Sequence, residues 1–274
     1  MPTISVNGAA LFAVEEGDGD PIVLVHGTVA DYRTWLLQIR EFSRRHRVIA
    51  YSRRYHFPNV VSEDRPQYSA SGHAQDLAEL IRHRAGGKAH VVTSSFGGCI
   101  ALALAVEHPH LVGSLVVCEA PLMPWLLMSD EGRALFPGVE KAQEASDRAF
   151  TAGRQREGVR LFIDMAMGSG VFEAMTPRSQ ARIMDNAYEL SLEMAAPADI
   201  YFPQFTREDL RGLPVPVLLL SSGRSPPQYH IITEELATCL PRARRETIPN
   251  SGHVIHATNP IAFNNTVGSF IEQV

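Results

Sequence analysis

The chain has 274 residues, of which 45% are hydrophobic and 20% charged, with a formal net charge of −5 at pH 7. That balance belongs to an ordinary globular protein, and its sign argues against nucleic acid or an anionic membrane surface as partner. Three scattered cysteines (Cys99, Cys118, Cys239) are too few for a disulfide framework or a zinc site, and Cys99 and Cys118 sit in apolar runs as small buried hydrophobes would.

The first segments, TISV and ALFAV, are separated by Asn7-Gly8 and predict a hairpin, because Asn-Gly supplies the positive φ of a tight turn. The run beginning MPTISVNGAAL has neither a basic region nor an apolar one, so no secretory signal is read there. No apolar run approaches the ~20 residues that a bilayer-crossing helix needs, and a cytoplasmic enzyme is expected. PIVLV reads as a strand covered on both faces. A helix around Thr34 to Ser43 follows, then strand RVIAY, a helix around Gly72 to Arg84 and strand AHVVT. Next come a helix from about Gly97 to Glu107 and strand SLVVC. After an interruption the alternation resumes with PVPVLLLSS, a helix near Ile231 to Cys239, strand ARRETI and a helix near Ile261 to Glu272.

Regular strand–helix alternation predicts an α/β fold: a mostly parallel sheet of about eight strands with helices on both faces. The interruption, residues 122–213, carries only helical pattern and predicts a helical cap inserted after the sixth strand. The remaining core would span 1–121 and 214–274. Aromatic and Met side chains in the insertion are expected to form mainly its own core. Trp125, Phe162 and Tyr201 are the candidates to face an apolar substrate pocket.

Three local patterns carry chemistry. In AHVVTSSFGGCIALALA an apolar strand turns sharply into a helix, where a nucleophile held on a strained turn needs small neighbours. Ser95 satisfies this, with Thr93 in place of the usual first glycine. Choosing Ser94 would put Phe96 where a small residue is required. In Ile22-Val23-Leu24-Val25-His26-Gly27-Thr28 a strand ends in His-Gly, and the backbone N–H groups of Thr28 and Phe96 are candidates for an oxyanion hole. His26 reads as a structural prop of that loop. Near the C-terminus, Ile248 to His256 follows the last predicted strand. His253 is the candidate base for the serine, and His256 a neighbour.

His-Gly after a strand, a serine elbow and Gly-His near the C-terminus, in that order, resemble the α/β-hydrolase superfamily over nearly the whole chain. The resemblance implies acyl or related hydrolysis by a Ser-His-acid triad with no cofactor. With the aromatic and Met content of the insertion, the expected enzyme is a serine hydrolase without a metal that acts on an ester, thioester or lactone of a largely apolar small molecule. Two departures stand out. Ser225 occupies the position where many members carry the acid, after the seventh strand. Some members carry it after the sixth, where this chain has Glu119, which makes Glu119 the candidate acid. The loop after the fourth strand reads Ser52-Arg53-Arg54-Tyr55-His56 instead of the family's glycine-rich run. Arg53 and Arg54 could hold a substrate carboxylate or lock the loop to nearby carbonyls and acids. Lyase or cofactor-free chemistry on the same fold, or a ligand-binding protein with a vestigial triad, are the rival readings.

Overall fold

The computed structural model describes residues 3–60 and 68–274. Strands β1 (Thr3–Val6) and β2 (Ala9–Glu16) form the antiparallel hairpin, turning on Asn7 and Gly8 with φ of 43° and 75°. Then follow β3 (Pro21–Val25), a 3₁₀ turn over Tyr32–Trp35 and α1 (Leu36–Phe42). β4 (Arg47–Tyr51), α2 (Ala70–Arg84), β5 (Ala89–Thr93), α3 (Phe96–Glu107) and β6 (Val112–Cys118) complete the first half. Between β6 and β7 the described chain is helical: α4 (Asp130–Thr151), α5 (Gln155–Met167), α6 (Val171–Ala174), α7 (Pro177–Met184), α8 (Ala187–Met194), α9 (Ala198–Tyr201) and α10 (Arg207–Arg211). β7 (Val217–Ser222), α11 (Pro227–Cys239), β8 (Arg244–Ile248), α12 (Ile255–Thr258) and α13 (Pro260–Ile271) close the fold.

The strands form one eight-stranded sheet in the order β1-β2-β4-β3-β5-β6-β7-β8, antiparallel up to β4 and parallel from there on. Why β3 is a continuous apolar run is visible in its register. Val23 and Val25 pack with Leu77 of α2 and Ile100 of α3 on one face, while Ile22 and Leu24 pack with Ile39 of α1 and Phe263 of α13 on the other. Each such side chain contributes about 1.5–3 kcal/mol by leaving water. The helical segment has its own cluster, formed by Val159 and Ile163 of α5, Phe172 of α6 and Leu190 of α8, and one residue of the sheet's loops, Val29, joins it.

Boundaries depart from the sequence expectation where caps override periodicity. α2 starts at Ala70 because the Ser69 side chain accepts the Gly72 N–H. α11 starts four residues before the expected Ile231, with Pro227 at its first turn, where a missing N–H costs nothing.

Candidate active site

Parallel strands bring their carboxyl ends to one edge, and at the crevice between β3 and β5 the chain direction of travel reverses: β4 lies on one side of β3 and β5 on the other. Such a switch point is where α/β sheets bind ligands. The loops after β3, β5, β6, β7 and β8 meet there.

Ser95 sits between β5 and α3 with φ 52° and ψ −125°, a conformation costly for any side chain. The turn is held by the Ser95 N–H donating to Cys118 O at 2.9 Å and the Ser94 N–H to Val25 O at 3.1 Å. Its tightness dictates the neighbouring residues. A Cβ on Gly97 would stand 2.4 Å from Val25 O, and one on Gly27 would stand 2.9 Å from Ser95 Cβ. Thr93 is tolerated in the place of glycine because its hydroxyl turns away to donate to Val116 O at 2.8 Å.

From Ser95 a chain of hydrogen bonds runs through two further loops. Ser95 Oγ lies 2.9 Å from His253 Nε2, and His253 Nδ1 lies 2.8 Å from Glu119 Oε2. The Tyr229 ring stacks on the imidazole with centroids 3.9 Å apart. Glu119 follows β6 with φ 48° and is almost fully buried. Burial pushes its carboxyl up, but hydrogen bonds from His253, Ser225 and the Ser222 N–H outweigh this and hold it below the usual carboxylate value. Ser225, standing where an acid was looked for, is thus a donor to the acid that reaches in from the adjacent strand. Tyr229 is not marked by the sequence, and Ser225 is marked there only as the position that lacks the expected acid, not as a donor to Glu119. The apolar run before Glu119 and the missing carboxylate at 225 were the only available signals.

Among the described residues neither the Thr28 N–H nor the Phe96 N–H has an acceptor. Both flank Ser95, Thr28 from the loop after β3 and Phe96 as its chain neighbour. His26 is a prop: it accepts the Arg53 N–H at Nε2 (2.9 Å), so its ring proton sits on Nδ1 facing Gly27 O at 2.9 Å. Burial keeps it neutral, well below the usual histidine value. His256 stacks on Trp35 with centroids 4.0 Å apart, and its Nε2 lies 2.8 Å from Thr34 Oγ1. Burial and then His253 lower its pKa to about 3.

Ser95, His253 and Thr28 open into a cavity of about 580 Å³. Its far wall is Phe162, Ile163 and Met167 from α5, Met175, and Ile183 from α7. Of the expected pocket residues only Phe162 lines it. Arg53 is fully buried and spends its guanidinium on His26 O, Gly27 O and the Tyr68 hydroxyl. Arg54 grips both carboxylate oxygens of Asp76 at 2.7 and 2.8 Å. Of the two roles open for these arginines, holding a substrate carboxylate and locking the loop after β4, their contacts are those of the second, and neither lines the cavity. Trp125 is buried against Phe205 and Arg207, away from the cavity. Tyr201 is buried, stacks on Phe96 at 4.6 Å and donates to Glu193 at 2.6 Å, and it does not line the cavity. Both fill the interior because large aromatic surface is most stabilising when fully desolvated.

A parallel sheet with a strained serine at its switch point, hydrogen-bonded through an imidazole to a buried carboxylate, is the architecture of a hydrolase. The family model described as the alpha/beta hydrolase family matches residues 22–266, and the chain belongs to that family. It is 23% identical to the esterase YbfF of Escherichia coli over 98% of this chain and 99% of that protein. It is 27% identical to the sn-1-specific diacylglycerol lipase ABHD11 of Mus musculus over 93% of this chain and 83% of that protein. The solved structure of carboxylesterase CesB from Bacillus subtilis superposes with a TM-score of 0.77 at 20% identity, covering 98% of this chain and 90% of that one. Among the described residues no helix is long and apolar enough to cross a membrane.

Proposed function

We propose that the protein is a serine hydrolase that cleaves an ester, thioester or lactone of a largely apolar small molecule, with Ser95 as nucleophile, His253 as base and Glu119 as the orienting acid. The observation that carries this reading is the unbroken line Ser95 Oγ, His253 Nε2, His253 Nδ1, Glu119 Oε2, with spacings of 2.9 and 2.8 Å. A hydroxyl attacks a carbonyl only as its proton leaves, and an imidazole at this distance accepts it. Attack forms the Oγ–C bond and drives the carbonyl electrons onto oxygen. The free N–H groups of Thr28 and Phe96 stabilise that oxyanion, each worth ~3–4 kcal/mol in comparable sites. His253⁺, held by Glu119, protonates the departing alcohol or thiol as its bond to carbon breaks. Water then attacks the acyl-enzyme with His253 again as base, returning Ser95 and releasing the acid.

Residues 122–213 serve as a cap in this reading, and the apolar wall from α5 and α7 holds the acyl or alcohol part of the substrate. The test is a p-nitrophenyl ester series combined with mass spectrometry after treatment with a fluorophosphonate. Turnover with a single adduct on Ser95 is expected. A chain that binds such esters without hydrolysis and takes no adduct overturns the reading in favour of a binding protein.

A further inference from the structure

The loop that carries Thr28 is fastened from the helical segment. Val29, the next residue, has φ 48°, an unfavourable conformation for a β-branched side chain that nothing in the local sequence favours. Two contacts hold it there, both long-range. Its side chain joins the cluster of Val159, Ile163, Phe172 and Leu190. Its N–H donates to Glu189 Oε2 of α8 at 3.3 Å.

Glu189 is fully buried and surrounded by polar groups from the core. The Tyr68 hydroxyl donates to its Oε1, His56 Nε2 lies 3.1 Å from that oxygen, and the Arg53 guanidinium lies 3.8 Å away. His56 is itself anchored to the loop, its Nδ1 standing 2.6 Å from Ala30 O. Burial raises the Glu189 carboxyl, but His56, Arg53 and Tyr68 outweigh it and hold it below the usual carboxylate value. One helical turn on, Glu193 is also buried. Its Oε1 accepts from Tyr201, while its Oε2 has no hydrogen-bond partner of ordinary geometry, although the Thr28 hydroxyl is close enough to favour the ionised form. Burial and then Glu189 push the Glu193 carboxyl up to about 8. Cys99 of α3 and Tyr229 of α11 also face it and carry no positive charge. Burial lowers the His56 imidazole below its ordinary value, so among the described residues Arg53 is the one buried group facing the pair that stays cationic, and it balances one carboxylate and not two.

We propose that Glu189 of α8 is a positioning residue that holds the Thr28–Val29 turn in the geometry of the oxyanion hole, and that ionisation of Glu193, one turn further along α8, loosens that hold by repelling Glu189. The proposal rests on the serine hydrolase reading for its catalytic consequence, but the coupling of the acid pair to the loop is separable from it. With both carboxyls ionised next to a hole built to receive negative charge, the transition state loses more than the bound substrate does, so kcat falls and KM changes little. A misplacement of order 1 Å at such a site costs ~10²-fold.

The experiment follows two readouts from pH 6.5 to 10 in the full chain and in Glu193→Gln, an isosteric side chain that cannot ionise. The first is kcat on a p-nitrophenyl ester; the second is the ¹⁵N–¹H resonances of Thr28 and Val29. In the wild-type chain kcat falls above about pH 8 by roughly tenfold or more, and the two amides titrate in parallel. In Glu193→Gln both transitions disappear. An alkaline transition that persists in Glu193→Gln, or amides that do not move in the wild type, overturns the proposal. A chain with no esterase activity whose amides still titrate, and cease to in Glu193→Gln, supports the coupling and removes only the hydrolase reading.

Discussion

Glu119 Oε2 stands 2.8 Å from His253 Nδ1 although 134 positions separate the two residues. The same oxygen accepts from Ser225, and Oε1 accepts from the Ser222 backbone at 2.7 Å, so the carboxylate's orientation is settled by groups on the next strand. If this contact selects the His253 tautomer, Glu119→Gln should lower kcat by ~10⁴, with KM little changed. Ser225→Ala, which removes one charge-assisted hydrogen bond, should cost about tenfold. Equal activities of Glu119→Gln and the wild-type chain would place the orienting group elsewhere.

The two serines of the elbow separate cleanly. Ser95 carries the strained φ and the contact to His253, whereas Ser94 has neither. Ser95→Ala should abolish hydrolysis and phosphonate labelling with an unchanged melting temperature, and Ser94→Ala should retain labelling. Labelling lost in Ser94→Ala and kept in Ser95→Ala would reverse the assignment.

Stability should respond to pH through the buried acids in opposite senses. The folded value of Glu193, about 8, lies above its ordinary 4.5. Between these values the folded chain holds a proton that the unfolded chain has lost, so stability falls as pH rises across that window. Glu119, held below its ordinary value, contributes stability above pH 4.5 that is lost as pH falls through its folded value. The melting temperature of Glu193→Gln relative to wild type should therefore climb from pH 5 to pH 8. A constant offset across those pH values contradicts a buried neutral acid at 193.

Phe162 and its neighbours predict chain-length selectivity. Phe162→Ala should reduce kcat/KM for octanoyl esters by about tenfold or more while acetyl esters change little, because only the longer chain reaches the α5 wall. A uniform loss across the series would mean that the side chain supports the fold and not the pocket.

Much of this protein was legible from local pattern. β3, β5 and β6 announce themselves as continuous apolar runs because each is buried on both faces, and Asn7-Gly8 marks a turn that few other pairs allow. Ser95 could be singled out over Ser94 because close backbone approach excludes a side chain at Gly97. These are constraints between near neighbours or between a residue and water, and composition and periodicity record them directly. Partner choice is different. Nothing near Arg53 or Arg54 in the chain says that one will be spent on carbonyls of the loop after β3 and the other on Asp76. Nothing in the local sequence marks Glu189 and Glu193, spaced one turn apart, as buried; the packing of α8 against the Thr28–Val29 turn does that. Glu119 differs from any other glutamate at a strand end only because β6 and β7 are adjacent and in register, Cys118 opposite Leu220, which carries it to Ser225 and His253. A charged side chain's role is set by which opposite charge or dipole shares its desolvated space, and only the tertiary structure brings those groups together.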